Sequence, residues 1–170
     1  MEKTLTQVYQ TLEKLVGLHR QLLDTVRMER DALVQADKKG VEEAVRAKQA
    51  IIEAVRMCES ERLKKVGELA LLWKKPLRDL TLPQIIIAIQ GEDPRAAEQL
   101  RGAYNALTIL IQRITDQNND NRAFVEKSLE HVHAMKRNVL GESVPKSNTY
   151  TQQGQKSNPV NGARLISKEA

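Results

Sequence analysis

The feature that most restricts this chain is an unbroken helical rhythm at its start. No proline occurs before Pro76, and proline is the residue that most reliably ends a helix, because it lacks an N–H and clashes with the preceding turn. Across that stretch apolar residues fall at Leu5, Val8, Leu12 and Leu15, then at Leu22, Val26, Leu33 and Ala36. Steps alternating between three and four keep side chains on one side of a 3.6-residue helix. A second line, Tyr9, Val16 and Leu23, widens the stripe enough to touch two neighbours. Asp37 and Gly40 interrupt the rhythm, and the Asp37 carboxylate is placed to cap a following helix. The pattern resumes through Val41, Ala44 with Val45, Ile51, Val55, Cys58, Val66, Leu69 and Trp73, and stops before Pro76.

Beyond Pro76 the segments are marked by their caps. Thr81-Leu82-Pro83-Gln84 has the form of a capping box. It opens a short apolar run, Ile85-Ile86-Ile87-Ala88-Ile89. Four isoleucines suit a strand, but the flanking caps favour a helix over about residues 82–90. Such a run is either a buried connector or an exposed docking patch. Asp93-Pro94 supplies a cap and a first-turn proline. The helix that follows carries Ala97, Leu100, Tyr104, Leu107, Ile111, Ile114, Val125, Leu129, Val132, Met135 and Val139, and Leu140-Gly141 ends it.

These signals predict an all-α fold: an antiparallel bundle of three long helices, at about 4–36, 38–75 and 94–140, with a short connecting helix. At 1.5 Å per residue the three measure roughly 50, 55 and 70 Å. The bundle would occupy residues 1–140. From Gly141 to Ala170 the chain is polar, punctuated by Gly and Pro and without periodicity. That stretch buries too little apolar area to offset its ordering entropy, so a disordered C-terminal tail is expected.

Composition narrows the function. Aromatic residues make up 3% and charged residues 29%, which suits rods joined by aliphatic side chains rather than a thick globule. No apolar run is long enough to span a bilayer, and Met1 leads straight into an amphipathic pattern. Membrane insertion and a secretory signal are therefore not expected, and a cytoplasmic location is. Cys58 is alone, in keeping with a reducing compartment. The formal charge of +5 is mostly interleaved with acid. The densest basic patch is Lys64, Lys65, Lys74, Lys75 and Arg78. Trp73 is the one aromatic residue inside it, too few for a base-stacking platform, so a nucleic-acid partner is not expected. His19, His131 and His133 form no ligand set, and no phosphate-binding loop or nucleophile motif is present. The expectation is a protein that is not an enzyme, with no cofactor and no metal.

Polar residues at stripe positions are the informative ones. His19 and Glu29 in the first helix, and Lys48 and Arg62 in the second, stand where apolar residues belong. An antiparallel hairpin about Asp37–Gly40 sets a register in which Glu29 faces Lys48, Leu33 faces Ala44, Val26 faces Ile51 and Leu22 faces Val55. Glu29 and Lys48 are thus expected to form a structural ion pair that fixes the register; a partner's contact surface is the other reading. The same register pairs His19 with Cys58, which is too few ligands for zinc. In the last helix Asn118 and Asn121 interrupt the stripe. Either they bond across the bundle, or that segment faces a ligand.

The residues Glu29-x-x-x-Leu33, Asp37, Lys48, Asn118-x-x-Asn121 and Thr149-Tyr150 with Gly154, taken in order, resemble the FlgN family of flagellar export chaperones. A difference is Thr151 after Tyr150, where a small residue is expected. The resemblance implies a cytoplasmic chaperone that binds flagellar hook-associated proteins of the FlgK and FlgL type before export and brings them to the flagellar export apparatus. It implies no nucleotide or metal. On that reading a client helix lies along Ile111, Ile114, Asn118, Asn121, Val125, Leu129 and Val132, with Tyr150, Leu165 and Ile166 of the tail as further anchors. The alternative is a structural coiled-coil or oligomerisation protein without a client, against which stand the polar residues in every stripe.

Overall fold

The computed structural model describes residues 2–141, and every regular element among them is helical. Helix α1 spans Glu2–Val34 and α2 spans Lys38–Trp73. A 3-10 turn, Leu77–Asp79, leads to α3, Leu82–Ile89, and then to α4, Pro94–Leu140. The chain divides into two compact units, the first ending at Lys127 and the second beginning at Ser128.

The ends of α1 and α2 are built alike. The Asp37 N–H donates to the Ala32 carbonyl at 2.9 Å, and the Ala36 N–H donates to Leu33 at 3.2 Å. The Lys75 N–H donates to Ala70 at 3.0 Å, and Lys74 donates to Leu71 at 3.2 Å. Both are Schellman motifs, which absorb the last helical carbonyls by turning one residue left-handed. That residue is Ala36 (φ 54°) in the first case and Lys74 (φ 52°) in the second. Ala36 therefore leaves the apolar stripe and is exposed, contrary to its expected place in it. The Asp37 carboxylate also departs from expectation. Asp37 occupies the cap position of α2 but makes no side-chain cap bond. Its carboxylate lies over Gly40 instead, where an added Cβ would come within 2.5 Å of Oδ2 and 3.1 Å of the Ala32 Cβ.

The later caps form as their residue types dictate. The Thr81 backbone N–H and hydroxyl donate to Gln84 Oε1 at 2.9 and 2.8 Å, closing a capping box. Asp93 Oδ1 accepts the Ala96 N–H at 2.9 Å, with Pro94 as the first helical residue.

Packing follows from these ends. α1 and α2 run antiparallel, with Lys14 approaching Glu61 at 4.0 Å and Lys48 reaching Glu29. α4 runs parallel to α1: Leu100 lines a depression with Leu5 and Tyr9, while Asn121 bonds to Val26. Up to Lys127 the arrangement is up, down, up. The core has two parts. One gathers Leu5, Val8, Leu12 and Leu15 of α1, Cys58, Val66 and Leu69 of α2, Ile85, Ile86 and Ile89 of α3, and Ala97, Leu100 and Ala103 of α4. α3 is therefore a buried connector on three isoleucines, while Ile87 points outward. The other part joins Val16, Leu22, Leu23 and Val26 to Leu110 and Ile114. Ile51 packs against this second cluster and Val55 against the first.

Candidate functional site

At the hairpin end of the first unit, three helices meet around charged and amide groups. Lys48 Nζ stands 2.6 Å from Glu29 Oε2, with side-chain exposures of 22% and 12%. Two ions this far from water need more partners than each other, and α4 supplies one. Asn121, 5% exposed, donates through Nδ2 to the Val26 carbonyl at 3.0 Å and to Glu29 Oε2 at 3.3 Å. Its own Oδ1 accepts from Gln117 Nε2 at 3.1 Å. Beside this network Arg30 donates to the Asp120 carbonyl at 3.4 Å, and its guanidinium sits 4.4 Å from the centre of the Phe124 ring. Among the described residues no buried side-chain polar atom lacks a partner. The network seals the seam through α1, α2 and α4 in one register.

The two alternatives for the asparagines resolve differently at each position. Asn121 bonds across the bundle. Asn118 is half-buried and lines a depression of about 400 Å³ with Glu29, Leu33, Val41, Lys48, Asn121, Arg122, Val125 and Glu126. Ile114 is buried in the second core cluster. Ile114 and Asn121, expected to meet a client, are thus occupied by α1, because α4 turns Leu110, Ile114 and Asn121 inward. That rotation leaves Ile111 on the outside, one position away from the buried Leu110, which is absent from the expected stripe.

The other seam residues satisfy themselves locally. His19 Nδ1 lies 2.7 Å from the Leu15 carbonyl of its own helix. Arg62 holds Glu59 through two bonds of 2.8 and 2.6 Å. Cys58 donates to the Thr11 carbonyl at 3.4 Å rather than meeting His19. Burial raises the Cys58 thiol pKa. Glu61 adds to the rise, Lys14 opposes it and Glu59 adds again. No group of three His, Cys, Asp or Glu side chains among the described residues is placed to hold a metal ion.

Farther along α4 the side chains are uncovered. Val125, at the end of the first unit, is exposed. In the second unit Leu129, Val132, Met135, Val139 and Leu140 are all exposed, Val139 at 83%. Leu129, Val132 and Val139 share one helical stripe, since steps of three and seven return to the same side. Tyr150, Leu165 and Ile166, named as anchors, and the tail beyond Gly141 with Thr149 and Gly154, lie outside the described residues.

The first unit is thus a helical body sealed by an internal polar network, and the far part of α4 carries exposed aliphatic side chains. The description "FlgN protein" belongs to the family model that matches residues 1–158. The chain belongs to the FlgN family of flagellar export chaperones, a chaperone family and not an enzyme family. Searches of curated proteins and of solved structures returned no match. No helix among the described residues is long and apolar enough to cross a membrane.

Proposed function

We propose that this protein binds flagellar hook-associated proteins of the FlgK and FlgL type in the cytoplasm, keeps them soluble and delivers them to the flagellar export gate. The observation that carries the reading is the open stripe of α4, with Leu129, Val132 and Val139 on one side of the helix and Met135 and Leu140 beside it. Burying one such side chain stabilises a complex by about 1.5–3 kcal/mol, so three or four suffice for a specific helix-on-helix contact. The client's amphipathic terminal helix lays its apolar face along this stripe. Val125 and the depression at Asn118 extend the contact where a client reaches them. Ile111, also exposed, belongs to the same client surface. The tail residues Tyr150, Leu165 and Ile166 close over the client as further anchors. Release comes from competition at the gate, with no nucleotide consumed.

The test is co-expression with the terminal segment of a hook-associated protein. The intact chain yields a soluble complex, and replacing Leu129 and Val132 together by Asp weakens it at least tenfold while the circular dichroism is unchanged. Removal of residues 142–170 weakens it further. Equal binding by the intact chain, the double variant and the truncated chain would end this reading. A stable oligomer of the chain alone, formed through Leu129 and Val132 and indifferent to client, favours the oligomerisation reading instead.

A further inference from the structure

The corner between α2 and the 3-10 turn has a chemistry that client binding along α4 leaves unused. Leu71 is 81% exposed, Leu72 56% and Leu77 51%. They stand among Lys64, Lys65, Lys74, Lys75 and Arg78. Between Lys64 and Arg78 the one carboxylate is Glu68, and Lys65 holds it at 2.8 Å. Lys64 and Lys74 have no carboxylate partner among the described residues, Lys75 lies 5.8 Å from the centre of the Trp73 ring, and Arg78 has only its exposed neighbour Asp79 at 3.8 Å. The excess of four positive charges in this segment is most of the chain's formal +5.

Exposed leucines interleaved with cations, of which Lys64 and Lys74 have no carboxylate partner among the described residues, are what an interface of anionic headgroups over acyl chains accommodates: the cations meet phosphates and the leucines sink to the acyl boundary. Leu71 and Leu72 are consecutive in a helix and point about 100° apart, and Leu77 follows only after the chain has turned. A peptide lying in one groove covers one of these directions. A fluid acyl boundary yields around side chains that diverge, which a rigid groove does not. Nucleic acid would answer the cations and leave the leucines in water. We propose that the corner from Leu71 to Arg78, with Lys64 beside it, is a peripheral docking site for an anionic phospholipid surface. No membrane-crossing element is required, and the site operates with or without a client on α4.

The test is flotation of the full chain with vesicles of phosphatidylglycerol mixed into phosphatidylcholine, against vesicles of phosphatidylcholine alone. The chain floats with the anionic vesicles only, and raising the salt from 0.1 to 0.5 M weakens the association, as expected for headgroup charge. Leu71→Ser with Leu72→Ser, and separately Lys64→Glu with Arg78→Glu, each lower vesicle binding roughly tenfold or more. Thermal unfolding of both variants matches the parent, since all four side chains are exposed. Absence of flotation with anionic vesicles, equal flotation with neutral ones, or binding indifferent to the leucine replacements overturns the proposal. So does retention on duplex DNA with the same dependence on both variants, which would make the corner a polyanion site.

Discussion

Lys48, Glu29 and Asn121 form a unit whose members differ in what their loss does. Removing Lys48 leaves a carboxylate 12% exposed with the Asn121 amide as its remaining donor. An uncompensated buried charge costs more than the pair itself contributes. Lys48→Ala is therefore expected to destabilise by about 1–3 kcal/mol, a value below the fully buried case because Lys48 is partly wet. Replacing Glu29 and Lys48 together by Leu removes both ions, and urea denaturation should find that double variant closer to the parent than Lys48→Ala alone. Asn121→Ala orphans the Gln117 amide and one donor contact to Glu29, at about 1–3 kcal/mol. Cys58 responds to pH. Its folded-state pKa is raised, so it stays protonated where the unfolded thiol has begun to ionise. Its contribution to stability is complete below the unfolded thiol's pKa and is lost as pH rises through the folded one. Denaturation midpoints should fall with alkaline pH in the parent, and fall less in Cys58→Ala.

At the scale of elements, the helix ends carry unequal weight. A non-glycine residue in the left-handed region costs about 1–2 kcal/mol, and α1 and α2 both end on one. Ala36→Gly and Lys74→Gly should each raise stability by roughly 0.5–1 kcal/mol after glycine's greater unfolded entropy is deducted. The two helix starts with aspartate also differ. Asp93 accepts a bond from Ala96, so Asp93→Ala should cost about 1 kcal/mol, whereas Asp37→Ala should cost less, since its carboxylate bonds to nothing at the α2 start. Thermal melts of the four variants check these expectations. The ordering decides whether cap identity or cap geometry governs the hairpin.

For the whole molecule, the two compact units predict two classes of stability. The first buries Leu12, Leu69, Ile85 and Leu100 almost completely. Within Ser128–Gly141 no described residue is buried, and Ala134 alone is half-buried. Backbone amides of Ser128–Leu140 should exchange with solvent orders of magnitude faster than those of Leu5–Val26, because opening there uncovers little apolar surface. Hydrogen exchange on the isolated chain measures the contrast, and adding a client should slow the fast class. A uniform rate along α4 would mean that its far end is as well packed as its start.

Helix positions, the Asp93 cap and the facing of Glu29 with Lys48 were legible in residue order, because helical periodicity and capping act within a few positions; the turn expected about Asp37–Gly40 falls instead at Gln35–Ala36, with Gly40 inside α2. The choice between neighbouring positions was not. Leu110 and Ile111 are both apolar and about 100° apart on α4, and only the approach of α1 decides that Leu110 is covered and Ile111 left out. Asn121 could bond or face a ligand by its chemistry alone. The Val26 carbonyl and Glu29 carboxylate that satisfy it lie more than ninety positions away in the chain. Ile85–Ile89 likewise declared its apolar content but not its orientation, which the first core cluster sets by taking Ile85, Ile86 and Ile89 and leaving Ile87 in water. Local order determined which residues are helical and, to within about two positions, where each helix begins and ends. Tertiary packing alone determined which faces are consumed, because burial is a property of what lies opposite, and that is not written at the position itself.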